Sequence, residues 1–338
     1  MSRQDGPRRP TISDVAAAAG VSVKTVSRVI NNVPSVRPEL VEQVLAAVGE
    51  LGFRRNELAS TLRSGRRTAT IGLIIGDLAN PFYSTIAAAV AKVARGHDTH
   101  LITVSSEEDP ELEQIQFVEL CQRRVDGLII VPAGSDHSYT RPEAEMGMRM
   151  VFLDRPPSGI LADSVVIDNA RGAHTGVEAL LKDGHTRIGV IADSPAIYTA
   201  RERLAGARTA LAGAGTPYDG SLVRVGVAHP AEAAKAVATM LDGMNPPTAF
   251  FAGNNRITVG ALQELYRRGH DAALTGFDDF ELSTLMPRPL TVVAYDVEEL
   301  GRTAAERLFA RIGGDASWPS ETVIATRLIR RGAELLTH

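Results

Sequence analysis

Apolar residues over the first 55 positions recur at helical spacing. In TISDVAAAAG the apolar set is Ile12, Val15, Ala16 and Ala19. Thr11 suits the N-cap, Asp14 falls in the first turn where the helix dipole favours an anion, and Gly20 ends the run. In VKTVSRVINN the stripe is Val26, Val29 and Ile30, with Ser22 as cap, and Val23, Lys24, Ser27 and Arg28 fall on the opposite face. Pro38 opens a third helix, PELVEQVLAAVGELG, whose Leu40, Val41, Val44, Leu45, Val48 and Leu51 are expected inward, with Gly52 at its end. Three short helices, the first two joined by the tight turn Gly20-Val21-Ser22, form the arrangement of a helix-turn-helix DNA reader.

From Thr70 the period changes. The runs TIGLIIG, HLITVSS, GLIIVPA, MVFLD, SVVID, RIGVIAD, VRVGV, TAFFAG, ALTGFDD and LTVVAYD read as strands. Amphipathic helices such as FYSTIAAAVAKVARG, PELEQIQFVELCQRRV, RLAGARTALAGAG and ITVGALQELYRRG separate most of them. Strands alternating with helices predict parallel sheets covered on both faces, and this length accommodates two. Ligands of such folds sit at the carboxyl ends of the strands.

Between these regions lies NELASTLRSGRR. Asn56 suits an N-cap, Leu58 and Leu62 share a face with Ala59 beside them, and Gly65 ends the run. A helix this short is marginal alone in water.

Charge sharpens the division. Up to Arg67 the chain carries 11 basic and 6 acidic side chains, a balance of +5; the remainder carries 25 and 34, a balance of −9. A basic head on an acidic body suggests that the head meets a polyanion. The single cysteine, Cys121, excludes an internal disulfide and any two-cysteine redox or zinc motif. MSRQDGPRRP has no apolar stretch behind it, so no signal peptide is expected, and no apolar run reaches the ~18 residues of a membrane span. The expectation is a cytoplasmic protein with no membrane partner and no cofactor.

The D-V-A of the first helix, the G-V-S turn, the T-V-S-R of the second helix and the N-x-x-A-x-x-L of the segment beyond the third together resemble the DNA-binding head of the lactose-repressor (LacI/GalR) family of bacterial transcription regulators. The body resembles that family's effector domain, which has the two-lobed periplasmic-binding-protein fold. The likeness runs through NPFY, RRVDGLIIVP, FLDRP, DNARGAHTGVEALLKDGHTRIGVI, RERLAGAR, GNNRITVG, TGFDD and PLTVVAYDVEELGRTAAERL. The implied organisation is a disordered basic tail over 1–10, a helix-turn-helix domain over 11–55, a hinge over 56–68 and an effector and dimerisation domain over 69–338. Lobe one is expected at about 69–167 and 296–322, and lobe two at about 168–295 and 323–335.

The resemblance implies roles by position. Val23, Lys24 and Arg28 fall where the family reads bases in the major groove; arginine and lysine donors suit guanine, and valine suits a thymine methyl. Ser22, Thr25, Ser27 and Asn31 fall where it holds phosphates. Asn56, Ala59 and Leu62 fall on the hinge, which in this family becomes helical on a palindromic operator and, paired with its copy in a homodimer, wedges a leucine into the minor groove. Asp77, Asn80, Phe82, Asp154, Arg203, Asn254 and Asp278 fall in the effector motifs. Carboxylates, amides and a guanidinium beside an aromatic ring suit a sugar or sugar derivative. Asp278 and Asp279 in GFDD would equally suit the start of a helix.

Four positions depart from the family pattern. Arg55 replaces the usual proline before the hinge. Asn254-Asn255 stands for N-D, Val227-Ala228-His229 for an aromatic after VRVGV, and Val292-Val293-Ala294-Tyr295 for T-x-x-Q. The implied function is an allosteric, effector-controlled repressor. The alternatives are a solute-binding protein, which the body alone would support, and a regulator answering a purine-type co-repressor. RRGAELLTH carries no leucine heptads, so a dimer is expected. Enzyme readings lack support: no phosphate loop, G-x-S-x-G or H-E-x-x-H occurs, and His97 and His100 read as loop histidines.

Overall fold

In the computed structural model, residues 10–31, 33–53, 67–216 and 218–332 are described. The chain divides into two compact units, Met1–Thr68 and Ala69–His338.

The first unit holds α1 (Ile12–Ala18), α2 (Val23–Ile30) and α3 (Pro38–Leu51). Thr11 and Asp14 form a reciprocal capping box: the Asp14 amide donates to Thr11 Oγ1, and the Thr11 amide donates to Asp14 Oδ2 at 2.7 Å. Ser22 Oγ accepts from the Thr25 amide at 3.1 Å and so caps α2. Gly20 takes the left-handed conformation that the tight turn needs. The core is small: Val15, Ala16, Val26, Val29, Val44 and Ala47. Two residues expected inward on α3 do not join it. Leu45 is 56% exposed and Leu40 stays outside the cluster. The buried stripe runs through Val41, Val44, Val48 and Leu51, and Leu45 lies one residue, about 100° of helix rotation, off that line.

The second unit follows strand with helix. In chain order come β1 (Thr70–Ile75), α4 (Pro81–Gly96), β2 (His100–Ser105), α5 (Pro110–Gln122), β3 (Gly127–Ile130), α6 (Arg141–Glu145), β4 (Arg149–Asp154) and β5 (Asp163–Ile167). The chain then crosses to α7 (Asn169–Lys182), β6 (Ile188–Ile191), α8 (Tyr198–Gly213), β7 (Val223–Arg224), α9 (Pro230–Leu241), β8 (Ala249–Ala252), α10 (Asn255–Arg268), β9 (Ala273–Phe277) and β10 (Leu290–Ala294). It returns through α11 (Val297–Ile312) and β11 (Glu321–Ile324) and ends in β12 (Arg327–Arg331).

Two six-stranded sheets result, ordered β11-β5-β4-β3-β1-β2 and β12-β10-β9-β8-β6-β7. All pairs are parallel except β10 with β12. Central strands such as β3 and β8 are buried at every position, the pattern of parallel strands covered on both faces. The final crossing comes later than the expected boundary at 322/323, because Val323 and Ile324 pair with Val166 and Ile167 in the first sheet.

Both sheets direct their carboxyl ends at one cleft. Asp77 follows β1, Asp154 ends β4, Asp193 follows β6, Asn254 follows β8, Asp278 follows β9 and Tyr295 follows β10. Helix packing refines the placement: a Cβ on Gly206 would stand 2.0 Å from the Ala170 carbonyl. The glycine lets α8 press against α7, which brings Arg203 beside Asn169.

Candidate functional site

On the first unit the outer face of α2 is open. Val23 is 46% exposed, and Lys24 and Arg28 are exposed with no salt bridge among the described residues. Ser22, Thr25, Ser27 and Asn31 are partly engaged within the helix. Ser22 Oγ lies 2.9 Å from Thr25 Oγ1, and Asn31 Nδ2 donates to the Ser27 carbonyl at 2.7 Å. Asn56, Ala59 and Leu62 lie outside the described residues.

On the second unit Asp77, Asn80, Phe82, Asp154, Arg203, Asn254 and Asp278 line a single cavity of about 560 Å³ between the two sheets. Its deepest element is a buried network. Arg203 donates from Nε to Asn169 Oδ1 at 2.7 Å, and from Nη1 to the Gly253 carbonyl at 2.8 Å and Asp278 Oδ2 at 3.2 Å. Its guanidinium lies over the Phe277 ring, 3.7 Å from the centroid. Asp278 Oδ1 accepts from the Tyr295 hydroxyl at 2.9 Å. Asp278 is therefore not a helix cap. Asp279 takes the local role, accepting from the Phe280 amide and Ser283 Oγ. Burial holds the Tyr295 hydroxyl far above its ordinary value, so it is a donor throughout the neutral range.

The facing wall repeats the plan with other residues. Arg155 bonds Glu108 twice, at 2.6 and 2.8 Å, and the Pro132 carbonyl at 2.6 Å. The Tyr83 hydroxyl donates to Glu108 Oε1 at 3.0 Å. Asp154 Oδ2 stands 3.6 Å from Arg155 Nε, beyond hydrogen-bond range. Burial, opposed by Arg155 and Arg203, pushes the Asp154 carboxyl up to about 6. Asp154 and Asp278 both hold φ near +66 to +69°, an uncommon region for a residue with a Cβ, and both sit at the carboxyl end of a strand.

The walls also touch each other. Asn255 Nδ2 donates to Asn80 Oδ1 at 3.0 Å, and Arg256 Nη1 to Asp77 Oδ2 at 2.7 Å. His229 Nδ1 lies 3.3 Å from Arg256 Nη2. Asn80 and Asn254 additionally cap α4 and α10 through the Phe82 and Ile257 amides. Phe82 meets Tyr295 and Tyr83 edge-on, with centroids 6.3 and 5.0 Å apart.

Three of the four departures from the family pattern thus fall on this cavity, as His229, Asn255 and Tyr295. Glu108, Arg155, Asn169 and Arg256 are not singled out by the sequence. The signal available for Arg155 is its place directly after the strand-ending aspartate of FLDRP. His97 stacks on Phe309 with centroids 4.0 Å apart, and no cluster of metal-ligating side chains occurs among the described residues. No helix of the described residues is long and apolar enough to cross a membrane.

Two family models match the chain. "Bacterial regulatory proteins, lacI family" covers residues 11–56, and "Periplasmic binding proteins and sugar binding domain of LacI family" covers residues 68–332. The HTH-type transcriptional regulator DegA of Bacillus subtilis (strain 168) is 34% identical over 302 residues, covering 87% of this chain and 88% of that protein. The structure of the transcriptional regulator CelR in complex with cellobiose is 31% identical with a TM-score of 0.71, covering 96% of this chain and all of that one. The lac repressor dimer bound to operator and an anti-inducer is 28% identical with a TM-score of 0.82, covering 96% and 99%. With a helix-turn-helix head, a two-sheet body and matches spanning both, the chain belongs to the LacI family and is a DNA-binding transcriptional regulator.

Proposed function

We propose that this regulator acts in the cytoplasm as a homodimer on a palindromic operator, without catalytic activity, and that a sugar-like effector bound between its lobes sets its operator affinity. Val23, Lys24 and Arg28 read base edges, and Ser22, Thr25, Ser27 and Asn31 hold phosphates. The exposed face of α2, free of salt bridges among the described residues, supports both roles. The minor-groove role of Asn56, Ala59 and Leu62 rests on the sequence resemblance. The observation that carries the effector reading is the convergence of Asp77, Asn80, Phe82 and Asp154 from one sheet with Arg203, Asn254 and Asp278 from the other on one cavity. A ligand held by both walls has differential affinity for two lobe arrangements, which is the requirement for coupling to a distant site. Coupling of about 1–3 kcal/mol gives 5–150-fold in operator affinity.

The test is a thermal-shift screen of sugars and purines, then operator binding at fixed salt with and without the hit. A ligand at about 100 times its Kd adds about 2.7 kcal/mol of stability. The expected hit is a sugar that changes operator affinity in the parent and binds far more weakly to Arg203→Ala. A purine hit would replace the sugar by a co-repressor-type ligand. A hit whose affinity survives Arg203→Ala would move the effector site out of the cleft.

A further inference from the structure

The charges lining the cleft are uneven. Among the described residues, three guanidiniums reach the lining and each already meets a carboxylate: Arg203 meets Asp278, Arg155 meets Glu108 through two bonds, and Arg256 meets Asp77. The second oxygen of Asp278 is also taken, by Tyr295. Glu107, Asp154 and Asp193 remain on the lining. Among the described residues no guanidinium hydrogen-bonds any of the three. Asp154 has Arg155 Nε at 3.6 Å, and the hydrogen bond Asp193 accepts comes from the Ser194 amide.

Resting on the effector role of this cleft, we propose that it selects a polyhydroxyl ligand free of negative charge, neutral or amine-bearing, and turns away sugar phosphates and sugar acids. A phosphate or carboxylate entering the cleft finds no unpaired guanidinium among the described residues. To take the two-pronged bond of a guanidinium fork it must displace Asp278, Glu108 or Asp77 and leave that carboxylate without its partner. It would also sit beside Asp154 and Asp193, adding like charge to carboxylates that burial already disfavours. A hydroxyl or ammonium donor meets the opposite situation, because the same carboxylates are unfilled acceptors. None of the three hydrogen bonds of Arg203 uses Nη2, which leaves a donor for a hydroxyl oxygen of the same ligand. The place where an anion would compete best is the rim, where Arg256 is only partly buried and stands beside His229. Asp77 holds Arg256 there.

The experiment uses the full chain and two readouts. Calorimetry compares glucose, glucosamine, ribose and cellobiose with glucose 6-phosphate, ribose 5-phosphate, gluconate and glucuronate. The expected result is that a neutral or amine-bearing member binds, and that its phosphorylated or acidic counterpart binds at least tenfold more weakly. A phosphorylated or acidic sugar binding within tenfold of its neutral counterpart, with binding lost in Arg203→Ala, overturns the inference and leaves the effector reading intact. The second readout needs no ligand. Asp154→Asn removes one surplus charge at constant shape, and at pH 8 it should raise the Tm of the free protein by several degrees. An unchanged or lower Tm overturns the inference. If no member of the panel binds, the sugar reading falls, and the Tm of Asp154→Asn alone then decides the charge inference.

Discussion

The outer face of α2 and the cleft between the lobes both present guanidiniums, in opposite settings. Arg28 is exposed, with no carboxylate salt-bridged to it among the described residues. Arg203 is 5% exposed and bonded to Asn169, Asp278 and the Gly253 carbonyl. In water an unpaired guanidinium is well solvated, and a polyanion can take it directly by releasing counterions. Inside the protein an unpaired charge is strongly disfavoured, so the fold must supply the partner before any ligand arrives. In the proposed roles, DNA recognition uses guanidiniums the fold leaves alone, whereas the guanidiniums of the effector cleft are already committed to carboxylates.

The largest effect that would break this contrast is on stability. Arg203→Ala leaves Asp278 and Asn169 without their partner in the interior, and breaking a buried pair costs about 3–5 kcal/mol. Denaturant unfolding of the full chain should show this loss together with loss of effector binding. A loss below about 1 kcal/mol would place Arg203 among surface-type ion pairs.

The next effect depends on pH. The Asp154 carboxyl titrates at about 6 in the folded chain against an ordinary 3.8, so the folded state holds this proton more tightly. The stability it contributes is present at acid pH and is lost as pH rises through about 6. Asparagine at this position has no such loss. From about pH 4 to pH 7 the parent should lose on the order of 3 kcal/mol relative to Asp154→Asn. Parallel stability curves for the two proteins would show that the Asp154 carboxyl is not raised.

The smallest effect is on the head. Arg28→Ala should weaken binding to a selected operator by about 1–3 kcal/mol and relax one base position. Stability should stay within about 0.5 kcal/mol, since nothing buried is disturbed. An unchanged operator preference would remove Arg28 from base reading, and a large stability loss would erase the contrast with Arg203.

Much of this architecture is written locally. Thr11, Asp14, Ser22 and the glycines at 20 and 52 mark helix ends through bonds that span three or four residues, and the continuous apolar runs of β1 and β3 announce covered parallel strands. The late strands β11 and β12 are not legible, because their alternating half-exposed residues, such as those of Arg327–Arg331, mark sheet edges rather than buried runs. Leu45 faces out against expectation because an apolar residue next to a stripe cannot be told from one within it until the neighbouring helices are in place.

The sequence by itself determined the division into a basic head and an acidic body, the alternation of strand and helix, and the motif positions whose side chains reach the cavity. Only the tertiary structure decided which of those side chains are already engaged. Arg155 and Glu108 are 47 residues apart, Asn80 and Asn255 are 175 apart, and Asp77 and Arg256 are 179 apart. No local pattern encodes such pairs: Arg155 meets Glu108 because β4 and β2 end at the same edge of one sheet, and the other two pairs form because strand ends from two sheets are brought to one cleft. The pairing of β9 with β10 places Tyr295 on Asp278, and the fold sequesters Asp154 from water; together they set the charge that the cleft presents.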